Sequence, residues 1–108
     1  MTPFTSKLTF SGGAGFVTGS NFLLEDQSPG GEKILIDCGL FQGGADAEVH
    51  NRAPFEYDPT AITTLFITHC HIDHIGRIGK LIKEGFRGSI YSTPQTRELA
   101  EPMLEDAL

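Results

Sequence analysis

Apolar residues alternate with polar ones near the start of the chain and settle into helical spacing toward its end. Residues 7–10 (Lys-Leu-Thr-Phe) read as a first strand, and residues 16–25 as a second one interrupted by Gly19. Asp26-Gln27-Ser28-Pro29-Gly30-Gly31-Glu32 is turn chemistry, and residues 33–37 resume an apolar strand. Residues 42–59 form an irregular polar connection containing Pro54 and Pro59. Residues 64–68 are β-branched or apolar throughout, the pattern of a strand covered on both faces. A helix follows in which Ile75, Ile78 and Ile82 recur at helical spacing and Gly85 provides the stop. Residues 88–92 read as a short strand. Thr93-Pro94 is a hydroxyl cap followed by proline at the first helical position, opening a second helix. Its stripe is Leu99, Met103, Leu104 and Ala107, with a kink expected at Pro102. Strands alternating with helices make this an α/β chain.

Length and composition narrow what such a chain can do. With 108 residues it holds one small domain or part of one, and it ends at Leu108 without a capping glycine or polar tail. The reading is therefore one unit over residues 1–108, the N-terminal portion of a larger domain. Eight Lys+Arg against 14 Asp+Glu give a net charge of −6, which excludes a free-standing nucleic-acid binder built on a basic surface. The longest aliphatic or aromatic runs, such as Phe22-Leu23-Leu24, are far too short to cross a membrane. Cys38 and Cys70 are too few for a disulfide framework and read as core thiols, so a reducing cytoplasm is the expected setting.

The chemistry is concentrated in Thr68-His69-Cys70-His71-Ile72-Asp73-His74-Ile75-Gly76, which holds three of the four histidines. In extended chain His69, His71 and Asp73 share a face and can converge on one point. His74, where the chain turns into the helix, can face a second point nearby. Imidazole and carboxylate suit zinc when water must stay bound and reactive. The site also lies just past the end of a strand, where open α/β sheets place their ligands. The plain alternative, histidines that merely cap the next helix, does not account for four potential ligands at these offsets.

His69-Cys70-His71-Ile72-Asp73-His74 resembles the His-x-His-x-Asp-His signature of the metallo-β-lactamase superfamily. Its neighbours are similar to one branch, the β-CASP RNA nucleases. They include Leu8-Thr9-Phe10-Ser11-Gly12-Gly13 with Val17-Thr18-Gly19-Ser20, and Leu35-Ile36-Asp37-Cys38-Gly39-Leu40-Phe41-Gln42-Gly43. Gly76-Arg77 and Gly85-Phe86-Arg87-Gly88-Ser89-Ile90-Tyr91-Ser92-Thr93 carry the likeness further. The resemblance implies the N-terminal part of an αββα sandwich. It also implies two zinc ions that lower the pKa of a shared water toward about 7 and direct it at a phosphodiester phosphorus. By position His69 and His71 would bind the first zinc, and Asp73 and His74 the second, the latter pair doing the catalytic work. Asp37 would support the metal loop from behind its ligands, against the plainer reading of a strand-end carboxylate. RNA would be the complete enzyme's partner. The alternatives are an ester or thioester hydrolase of the same fold, or a non-catalytic fragment with partial metal binding. The four residues gathered here leave each metal short of ligands. The isolated chain is thus expected to be inactive, weakly stable and prone to self-association through exposed sheet edges.

Weaker signals add little. Gly13-x-Gly15 lacks the third glycine and the following helix of a dinucleotide loop. In the resembled family that loop approaches the metals, giving Thr18 and Ser20 a substrate role as an alternative to a tight turn. Arg77, Lys80, Lys83 and Arg87 would share one helix face, either simply solvated or available to RNA phosphates. His50, in the irregular connection, reads as a surface residue.

Overall fold

Strand-forming residues and turn chemistry assemble a five-stranded mixed sheet in the computed structural model, which describes residues 5–12 and 18–107. The strands are β1 (Ser6–Gly12), β2 (Asn21–Asp26), β3 (Lys33–Ile36), β4 (Thr64–Phe66) and β5 (Ser89–Tyr91), side by side in chain order. The first three pair antiparallel; β3, β4 and β5 run parallel. The β2–β3 turn closes as its residues dictate. Asp26 Oδ1 accepts from Ser28 N at 3.0 Å, and Gly30 takes φ +74°.

Helices α1 (Ala47–Arg52), α2 (Ile72–Ile75), α3 (Ile78–Lys83) and α4 (Pro94–Ala107) complete the described chain, with a single 3₁₀ turn at Pro59–Ala61. The core is a single cluster that joins Leu23, Leu35 and Leu65 of the sheet to Ile75, Ile78 and Leu81 of the helices. Among the described residues no helix is long and apolar enough to cross a membrane. Thr93 caps α4 as read, its Oγ1 accepting from Thr96 N at 3.2 Å.

Several expectations need correction. The second strand begins at Asn21, with Gly19 and Ser20 in irregular chain before it; Phe16 and Val17, like Gly13 and Gly15, lie outside the described residues. The polar connection contains α1, a helix with no buried residue and hence no apolar stripe to betray it. The expected single helix over Ile75, Ile78 and Ile82 is two. Leu81 is buried in place of Ile82, which is 44% exposed. In α4 Met103 and Leu104 pack against the core as expected, but the buried positions are Thr96 and Ala100, and Leu99 points to solvent.

The strand at residues 64–68 is covered on one face only. Register aligns Phe10, Phe22, Ile36, Phe66 and Tyr91 across all five strands, with Leu8, Leu24 and Ile34 beside them. Phe10 (61% exposed) and Tyr91 (55%) mark that face as open, and an apolar face of this extent needs a second layer. The isolated chain is therefore expected to self-associate, and Phe10→Thr with Phe66→Ser to shift it toward monomer in sedimentation velocity. Equal association by the double variant would exclude this face as the cause.

Candidate metal centre

Two parallel strands end beside each other and deliver the site. Asp37 follows β3 and Thr68–His69 follow β4, both at carboxyl ends, where α/β sheets open their crevices. Asp37 adopts φ +60°, an uncommon conformation for a residue with a side chain. Its backbone N–H still donates to Phe66 O at 2.8 Å. The carboxylate, 2% exposed, is surrounded by donors. Oδ1 accepts from Thr68 N at 2.8 Å; Oδ2 accepts from Thr68 Oγ1 at 2.7 Å and Ser20 Oγ at 3.1 Å. His74 Nδ1 lies 2.7 Å from the same Oδ2. A carboxylate on one ring nitrogen sets which tautomer the imidazole takes, leaving Nε2 free to bind elsewhere.

His69, His71 and Asp73 each offer a ligand atom within 4.8 Å of the others, a group that could hold a metal ion. They meet because His71 is the N-cap of α2 and Asp73 sits in its first turn. The convergence expected from an extended run is therefore achieved by a strand end and a helix start. His74 stands alongside rather than in that group. Its Nε2 is 3.5 Å from Asp73 Oδ2, and its ring centre is 3.6 Å from that of His69. Asp73 thus touches both proposed ligand pairs. Two imidazoles with a carboxylate form a donor set suited to zinc with a position left for water.

Cys70 packs against the core, and Cys38 is fully buried; burial pushes its thiol up to about 12, so it stays protonated. His50 is exposed, its ring 5.2 Å from that of Phe41. Thr18 and Ser20 both make hydrogen bonds within the chain. Thr18 Oγ1 exchanges hydrogen bonds with the backbone of Gln42, and Ser20 Oγ serves Asp37. The basic helix face is not formed. Arg77 is buried, Lys80 pairs with Glu84 at 2.6 Å, and Arg87 donates to Ile82 O and Phe86 O. Sequence reasoning overlooked Thr68 as the hydroxyl that links Asp37 to both His69 and His74, each Nδ1 being 3.3 Å away. Its place directly before the first histidine was the available signal.

A family model described as the metallo-beta-lactamase superfamily matches residues 14–108. Ribonuclease TTHA0252 of Thermus thermophilus is 48% identical over 97 residues, covering 90% of this chain and 21% of its own length. Transcription termination factor FttA of Methanosarcina mazei is 38% identical over 98 residues, covering 86% of this chain and 14% of its own length. Cleavage and polyadenylation specificity factor subunit 3-II of Arabidopsis thaliana is 38% identical over 85 residues, 70% of this chain and 13% of the plant protein. The chain therefore spans about a fifth or less of these relatives.

Proposed function

Since the chain belongs to the metallo-β-lactamase superfamily, we propose that it contributes the first part of a zinc-dependent active site that cleaves RNA phosphodiester bonds, in the β-CASP manner. The observation that carries this reading is the His69, His71 and Asp73 group, with His74 beside it and anchored on buried Asp37. His69 and His71 would hold one zinc and Asp73 with His74 the other. When bound, zinc supplies Lewis acidity and lowers the pKa of water toward about 7. The chain's own contribution is orientation. Asp37 keeps the proton on His74 Nδ1 and so presents the Nε2 lone pair toward Asp73. Thr68 and Ser20 hold the Asp37 carboxylate in place by donating to it. The choice of RNA over an ester rests on the ribonuclease and cleavage-factor relatives and on the flanks that resemble β-CASP nucleases.

The complete protein is expected to cleave single-stranded RNA in a zinc-dependent manner and to leave a glutathione thioester intact. Thioester turnover without RNA cleavage would transfer the site to the ester-hydrolase reading. The 108-residue chain alone is expected to show no RNA hydrolysis, since each proposed ligand pair lacks a third protein ligand. Cleavage by the purified monomer that disappears in His71→Ala would refute this half.

A further inference from the structure

On its side away from the histidines, the loop after β3 is clamped by a buried cation. Arg77 is 5% exposed; its Nε donates to Gly39 O, and its guanidinium carbon lies 4.7 Å from the Phe41 ring centre and 5.3 Å from that of Phe55. None of the ion pairs among the described residues involves it. Its Nη2 is buried without a hydrogen-bond partner, and the Ser11 hydroxyl is in the same position. Both residues line one cavity of about 90 Å³, which Asn21, Phe41, Phe55, Tyr57 and the exposed His50 also border.

Two unanswered donors on one cavity call for an acceptor. Asn21 does not supply it: its Oδ1 accepts from Tyr57 OH at 3.0 Å, its Nδ2 donates to Asp37 O at 2.8 Å, and neither Arg77 Nη2 nor Ser11 Oγ reaches it. Glu56 borders the cavity too, but it is exposed to water and makes no ion pair with Arg77. Burial without a counter-charge is costly for a guanidinium. The same burial draws the Arg77 pKa downward. The Phe41 and Phe55 rings offset part of the charge and water could complete the hydrogen bonds, but neither supplies a counter-charge.

We propose that this cavity binds one small monovalent anion of the halide class, held between Arg77 Nη2 and Ser11 Oγ. The volume is several times the roughly 10–15 Å³ that a single water needs, so an ion and a companion water fit. A phosphate or sulfate is a poorer match, bringing four oxygens and a double charge to two donors. Neutralising Arg77 would steady its hold on Gly39 and, through that loop, the residues behind the histidine cluster.

The test is thermal unfolding of the complete protein in sodium chloride, bromide, sulfate or gluconate at constant ionic strength. Chloride and bromide are expected to raise the melting temperature saturably above that in gluconate, an anion too large for the cavity. Ser11→Ala, which leaves the core intact, is expected to weaken the apparent halide affinity about tenfold, the loss of one hydrogen bond to an ion. Arg77→Met is expected to remove the response, and a bromide soak to place an anomalous peak beside Arg77 and Ser11. Equal melting in chloride and gluconate, or a halide response untouched by Ser11→Ala, overturns the proposal. A response to sulfate as strong as that to chloride overturns the halide assignment.

Discussion

His71→Ala is expected to lower zinc affinity by more than about 100-fold, beyond the 10–100-fold typical of removing a partner behind the ligands. Cys70→Ala is expected to leave it unchanged. His71 is exposed, and its ring centre lies 4.9 Å from that of His69. Although it is the N-cap of α2, its side chain makes no capping hydrogen bond, so alanine removes a proposed ligand without removing a support. Cys70, one residue earlier, turns its thiol to the core instead. Competition titration against a chromophoric chelator, with circular dichroism to confirm folding, reads both variants. Unchanged affinity in His71→Ala, or lost affinity in Cys70→Ala, would remove the ligand assignment.

Gly39→Ala should be equally damaging without removing any proposed ligand side chain. An added Cβ would stand 1.6 Å from Asp73 O and 2.9 Å from His74 N, both backbone atoms that cannot swing aside. The surrounding ladder leaves the loop no freedom to retreat. Cys38 N donates to His74 O at 2.9 Å, Leu40 N to Ile72 O at 3.0 Å, and Gly39 N to Ser20 O at 2.9 Å. Overpacking in a tight interior costs about 1–3 kcal/mol, and a clash with backbone sits at or above the top of that range. Chemical denaturation should therefore show a loss of about 3 kcal/mol or more, together with weakened zinc binding. Gly30→Ala has open space around its Cβ and faces only the strain of φ +74°, so it should cost about 1 kcal/mol and leave zinc binding intact. Similar outcomes for the two variants would show that the close approach of residues 39 and 73 is not what shapes the metal loop.

The legible parts of this protein were those with local causes. All five strands were foreseen, four of them close to their expected bounds and the second starting later than expected, because side-chain period and turn residues act over a few positions. The β2–β3 turn and the Thr93 cap were readable for the same reason. So was the group that could hold a metal: His69, His71 and Asp73 lie within five residues of one another, so nearly any path of the chain keeps them close. The helix α1 escaped because it buries nothing, and a helix without an apolar face leaves no period to detect.

What the sequence determined by itself was therefore the order of the five strands, the group of side chains that could hold a metal, and the presence of an aspartate at the end of β3. Tertiary structure decided how these meet. The helix breaks after Ile75 because its carbonyls are claimed from outside: Ser20 N bonds to Asp73 O at 3.0 Å and Cys38 N to His74 O. Arg77 N leaves the helix for Cys38 O at 2.9 Å, and that rotation buries the guanidinium the pattern had placed on a solvated face. Likewise, only the pairing of β3 with β4 brings Asp37 to Thr68 and His74 across more than thirty residues. Hydrogen bonds between segments far apart in sequence leave no period in either segment, so the partner of each donor emerges only once the sheet has set the register.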